Sequence, residues 1–405
     1  MNARALLTWP PFLFLLIFLC LFPLVSPLYA EGNDQADVLS GWGKMKEAFD
    51  RFAKEPSSIT AREFYNSIPP DEEPARDRKE ILDHIILRDG IIATEMLQGN
   101  TYAARAAIRI LKFVKGSSQQ RVGGRLGELI RVKPAVFLKA CYEEREDPYI
   151  KGKGFPVGYI PYIMKKKERS SYELEIRMEA LRSVEDLELE SVRDECLKGL
   201  KDEIEELGLE IPSCAGYEER PFDDQKEKIA SVFEEMLRIP CPENMKRVLA
   251  LISDDRKYIY DNIIPFIFPI LKSGRMIVDP YEVIIHEAEC ANEYAIDVLF
   301  RTSFYIIGLE SMQFCALISN LILINPPLFI EKLAENRHSL GSVISSDDLD
   351  YICNYVSDWD YSEETDGDVI LRRRIDALAS LNIPEHQELI NHCIKLITTQ
   401  LKKMI

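Results

Sequence analysis

The chain has 405 residues, with 67 acidic against 50 basic side chains and a formal charge of −17. That length gives room for two or three domains with substantial cores. A balance this negative repels phosphate backbones and anionic lipid, so neither nucleic acid nor a peripheral membrane surface is an expected partner.

Residues 1–30 read as a secretory signal peptide. Arg4 supplies the positive start, Phe12 to Val25 is a nearly unbroken apolar block, and Ser26-Pro27-Leu28-Tyr29-Ala30 ends in a small residue. The expected localisation is therefore periplasmic or extracellular. Retention of the segment would leave the protein anchored by residues 11–28, a stretch that nearly reaches spanning length. Leu19 is too bulky for lipid attachment at Cys20. Glu31 to Ser40 is polar.

From there the chain repeats itself. At an offset of 184, Phe49, Lys54, Pro56, Arg62, Ile68 and Asp71 fall on Phe233, Arg238, Pro240, Lys246, Ile252 and Asp255. At 192, Asn100, Tyr102, Ala103, Arg109, Gly116, Leu129, Ile130, Pro134 and Phe137 fall on Asn292, Tyr294, Ala295, Arg301, Gly308, Leu321, Ile322, Pro326 and Phe329. At 197, Arg177, Ala180, Leu181, Ser183, Cys196 and Lys198 fall on Arg374, Ala377, Leu378, Ser380, Cys393 and Lys395. This is the mark of an internal duplication. It divides the chain into a first helical lobe over 41–206, a linker over 207–224 rich in Gly and Pro, and a second helical lobe over 225–405.

The retained residues start, stop and bury helices. Asn100 and Asn292 precede apolar residues recurring at three and four, where an Asn side chain caps the first free N–H groups. Gly116 and Gly308 stand where the helix after each cap is expected to end, and Pro134 and Pro326 where the next-but-one begins. Strand patterns are nearly absent. The expected fold is all-α: antiparallel helices stacked like HEAT or armadillo solenoids, seven or eight per lobe. Retained Arg109 with Arg301, and Glu95 with Glu287, are expected to form an inter-helix pair or a binding face.

Between the better-defined helices, the glycine-rich Gly152-Lys153-Gly154-Phe155-Pro156-Val157-Gly158 reads as a loop. Ile263 to Leu271, with Pro265 and Pro269, reads as a kinked buried helix, or else as a groove for an apolar ligand. Of the nine cysteines, eight follow Cys20, yet only Cys196 and Cys393 occupy matching positions. A disulfide framework inherited by both copies would have matched pairs, so buried free thiols are expected, with Cys214 and Cys241 the first bridge to test.

Catalytic chemistry finds little footing. CxxC, CxxCH, GxSxG, GxGxxG and P-loop patterns do not occur. His286-Glu287-Ala288-Glu289-Cys290 begins like a zincin motif but ends in Cys290, so an ordinary helix with a satisfied histidine is the expectation. The acidic run Asp358, Asp360, Glu363, Glu364, Asp366 and Asp368 departs from the EF-hand at Glu363 and Val369, which favours a solvated loop over a calcium site. No residue is assigned as catalytic, cofactor-binding or metal-ligating, and no cofactor is expected. The function expected is a non-catalytic exported helical-repeat scaffold that binds a protein or peptide partner in the cell envelope. Two alternatives stand beside it: an envelope-directed hydrolase with an acidic or His286-centred site, and a carrier of a small apolar ligand using residues 263–271.

Overall fold

Every regular element among the described residues of a computed structural model is a helix. The described residues are 41–70, 77–210, 224–253, 255–267, 279–302, 309–339, 349, 352–354 and 367–404. The leader read in residues 1–30, Gly308, Cys214, residues 268–271 and most of the acidic run lie outside them. No described helix is long and apolar enough to cross a membrane.

The first helices are α1 (Gly41–Lys54), α2 (Ser58–Ser67), α3 (Arg78–Leu87) and α4 (Asp89–Leu97). They are followed by α5 (Thr101–Leu111), α6 (Ser117–Val132), α7 (Pro134–Glu144), α8 (Pro148–Lys153), α9 (Lys167–Arg182) and α10 (Glu190–Glu206). Later in the chain come α11 (Gln225–Arg238), α12 (Pro242–Leu251), α13 (Asp279–Glu289), α14 (Glu293–Thr302), α15 (Leu309–Ile324), α16 (Pro326–Ser339), α17 (Gly367–Ala379) and α18 (Gln387–Met404).

Local chemistry accounts for the boundaries. Asn100 Oδ1 accepts from the N–H groups of Tyr102 and Ala103 at 3.1 and 3.3 Å, and Asn292 Oδ1 accepts from Ala295 at 3.4 Å. Pro134 and Pro326 open α7 and α16, where the missing N–H has no helical partner to lose. Gly116 departs from expectation. Helix α5 stops at Leu111, and Gly116 forms the turn into α6 with φ of +63°, a conformation without a Cβ penalty. The Gly152–Gly158 loop also starts later than its glycines suggest. Asp147 Oδ1 accepts from the Tyr149 N–H at 2.8 Å with Pro148 at the first helical position, and this cap starts an α8 that runs through Lys153 before Gly154 ends it at φ of +78°.

The run beginning at Ile263 is kinked for a definable reason. Pro265 lacks an N–H and crowds the carbonyl four residues back, and the preceding turn, Ile259–Ile263, widens into a π-helix. Ile263 and Ile267 are buried, and Phe266 stacks on Phe233 with ring centroids 5.6 Å apart. In its described part, the run fills core.

Buried apolar side chains gather in two clusters. One draws on Trp42 to Leu200 and takes in Ile239, Cys241, Leu323 and Ile370 from later helices. The other runs from Ile229 to Ile397. Residues Ser40–Ile405 nevertheless form one compact unit. Contacts of α15 with α4, of α9 with α11, and of α13 with the short Tyr162–Met164 turn join its earlier and later helices. The seven described cysteines are all buried, packed as small apolar residues.

Candidate functional site

Three helices meet where those contacts cross the chain. Helix α6 brings Arg125, Glu128 and Arg131, spaced at three so that they share one face. Helix α9 brings Glu173 and Arg177, one turn apart. Helix α13 brings His286, Glu287 and Glu289, with Cys290 just beyond its end.

Glu173 is the hub and is fully buried. Its Oε1 accepts from Arg177 Nε and Nη2 at 3.0 and 2.8 Å, and its Oε2 accepts from Arg131 Nη1 at 2.8 Å. Arg131 then reaches across to Glu287 with two parallel bonds of 2.9 Å each. Asn292 adds a third donor to Glu287 at 3.2 Å, so the cap of α14 also fixes this carboxylate. Arg177 spends Nη1 on the carbonyls of Val157 and Tyr159 at 2.8 and 2.9 Å, anchoring the irregular stretch after α8. The guanidinium has room only because position 127 is glycine: a Cβ there would lie 2.0 Å from Arg177 Nη2.

His286 lies 3.3 Å from Glu173 Oε2 through Nε2, with Cys290 Sγ at 3.9 Å from the same nitrogen. The carboxylate assigns Nε2 as donor. Nδ1 faces Glu128 Oε1 at 3.8 Å, beyond hydrogen-bond reach. Arg125 Nη1 joins Glu128 at 2.9 Å and Glu289 at 3.4 Å.

The electrostatics follow from this pairing. Burial would raise the Glu173 carboxyl, but Arg131 and Arg177 outweigh it and hold its pKa well below the ordinary range. Burial likewise disfavours a charged imidazole, yet Cys290 and Glu173 outweigh it and push His286 well above its ordinary value. Burial raises the Cys290 thiol against the opposing pull of Arg131 and His286. The carboxylates of Glu128, Glu173, Glu287 and Glu289 exceed the guanidiniums of Arg125, Arg131 and Arg177 by one charge, which a protonated His286 cancels.

Beside this network opens a cleft of about 540 Å³, walled by α6, the Pro161–Ile163 segment and α13. Arg121, Arg125, Glu128, His286 and Glu289 line it together with Ile163 and Ile285, and Tyr162 stands at it with 82 % of its surface exposed. Arg121 is held by Asp89 through two bonds of 2.8 and 2.7 Å.

No known protein family, curated protein or solved structure matches the chain.

The hydrogen-bonded histidine expected at His286 is present, but the carboxylates that face it, Glu173 and Glu128, come from 113 and more residues away, beyond what local spacing reveals. The expected pairing of the retained arginines and glutamates takes another form. Arg109 bonds Glu144 at 2.7 Å, and Arg301 bonds Asn336 at 3.3 Å. Glu95 accepts from Asn100 at 3.0 Å and from Arg373, while Glu287 accepts from Asn292 and Arg131. The capping asparagine thus claims each glutamate, because helix ends place the two five residues apart on one turn. Of the acidic run, Asp368 is described, and it pairs with Arg372 at 3.2 Å.

Proposed function

We propose that the protein is an exported, non-catalytic scaffold of two related helical lobes, stacked in the HEAT or armadillo manner, whose cleft beside Tyr162 and His286 binds a peptide segment of a protein partner. The duplication is supported by the helix boundaries. Shifting α1 and α2 by 184 positions lands on the bounds of α11 and α12, and shifting α6 by 192 lands on those of α15. Shifting Leu187–Leu189 by 197 lands on Pro384–His386. Contacts support it too. Position 105 with 144 and position 297 with 336 are hydrogen bonded in both halves, as Arg105–Glu144 and Asp297–Asn336. The clasps between halves are also reciprocal: Arg131 of the first holds Glu287 of the second, and Arg373 of the second holds Glu95 of the first. Packing of α15 on α4 departs from simple nearest-neighbour stacking.

The observation that carries peptide binding is the cleft itself. It combines apolar wall (Pro161, Ile163, Ile285), an exposed aromatic and arginines, the residue types on which partners anchor. The hydrolase reading draws on the same cleft, but Glu128 and Glu289, the lining carboxylates grouped with His286, already carry an arginine. Export rests on the leader alone. Display of random peptides against the full chain is expected to return a shared motif. Its binding should weaken by roughly tenfold or more in Tyr162→Ala and Ile285→Glu, and stay unchanged when exposed Ile59 is replaced by Glu. Peptides indifferent to both cleft variants would contradict the reading.

A further inference from the structure

Nδ1 of His286 faces Glu128 Oε1 across 3.8 Å on the cleft side of the network, while Nε2 lies 3.3 Å from Glu173 Oε2. A metal ion suits an imidazole nitrogen and carboxylate oxygens so placed, and here a third donor is at hand, because ligand atoms of Glu128, His286 and Glu289 all lie within 4.8 Å of one another.

We propose that Glu128, His286 and Glu289 bind a divalent transition-metal ion of the zinc class on the wall of the cleft. The donor set, one imidazole and two carboxylates, is one that zinc accepts, with metal–ligand lengths of about 2.0–2.2 Å. Drawing the three donors in to that length takes side-chain adjustments of the order of an ångström. Glu173 supplies the carboxylate–histidine contact that orients a metal-bound imidazole, and it is itself locked by Arg131 and Arg177. The cleft gives the ion an entry path and leaves room for a ligand from solvent. By contrast, the neighbouring trio Glu173, His286 and Glu287 is wholly buried, and neither of its carboxylates lines the cleft. That trio is closed to an ion.

Arg125 is the resident cation. Its guanidinium joins Glu128 to Glu289 and must turn aside when the ion enters. The buried carboxylate of Asp89, close enough to bear on Arg125 and now held by Arg121, gives it somewhere to go. The proposal is independent of the peptide reading, since zinc affinity is measured with no peptide present.

The test is a calorimetric titration of the full, chelator-stripped chain with zinc chloride, with magnesium and calcium as controls. The expected result is one zinc per chain, no comparable heat from the controls, and a loss of affinity of roughly tenfold or more in both His286→Gln and Glu289→Gln. His286 is buried and its variant can fail to fold; Glu289, with its side chain 24 % exposed, keeps the question decidable. Two results overturn the proposal: no saturable zinc binding by the wild-type chain, or binding that Glu289→Gln leaves intact, which would place the ion elsewhere, for instance on the thiols.

Discussion

Replacing Glu173 with alanine is expected to destabilise the protein by about 3–5 kcal/mol, because it leaves the Arg177 guanidinium and the His286 imidazole in the interior without their paired carboxylate and takes one of the two carboxylates from Arg131. Set against a typical total of about 5–15 kcal/mol, that is enough to unfold a large share of the molecules on mild heating. Arg131 and Arg177 are both buried, so neither can recover its lost bonds from water at little cost. Glu173→Gln should fall between, keeping size and an acceptor while losing the charge. The pH dependence has a fixed sign. Glu173 has its folded pKa depressed below the ordinary 4.5, so its contribution is complete above that value and is lost as pH falls through the folded one. Urea denaturation of wild type and variant should therefore show a wide gap at neutral pH that narrows in acid. A gap under about 1 kcal/mol at neutral pH would mean that the carboxylate does not hold the arginines.

Gly127→Ala is expected to be nearly as damaging, although it adds one methyl group to a helix. The new Cβ would sit 2.0 Å from Arg177 Nη2 and 2.4 Å from its Cζ. Retreat is barred, since the guanidinium is fixed by Glu173 and by the carbonyls of Val157 and Tyr159. Overpacking alone costs about 1–3 kcal/mol, and breaking the Arg177–Glu173 pair raises the loss toward about 3–5 kcal/mol. Gly124→Ala is the control. A Cβ there meets Pro161 no closer than 3.6 Å, so the gain in helix propensity, of about 1 kcal/mol, should prevail. Denaturation midpoints that move together in the two variants would refute the close approach.

Much of the fold was legible from residues that act within one turn. Asn100 and Asn292 cap, Pro134 and Pro326 open helices, and the apolar periodicity set the helical class. Gly116 was misplaced because a glycine between two helices serves the end of one or the start of the next, and only packing decides which. The polar site was legible in half. His286 stood out for its motif, but Glu128, Arg131 and Glu173 did not, because the partners they meet on α13 lie more than a hundred residues away. One local sign was available. Gly123, Gly124 and Gly127 lie inside α6, where glycine disfavours helix, and two of the three accommodate Tyr159 and Arg177 at distances no side chain would allow.

The claim on which the account rests is that the buried bond between Arg131 and Glu287 ties the earlier helices to the later ones. A double-mutant cycle with Arg131→Met and Glu287→Gln, read by urea denaturation, tests it directly. The prediction is a coupling energy of about 2 kcal/mol or more, and additivity to within about 0.5 kcal/mol would contradict it.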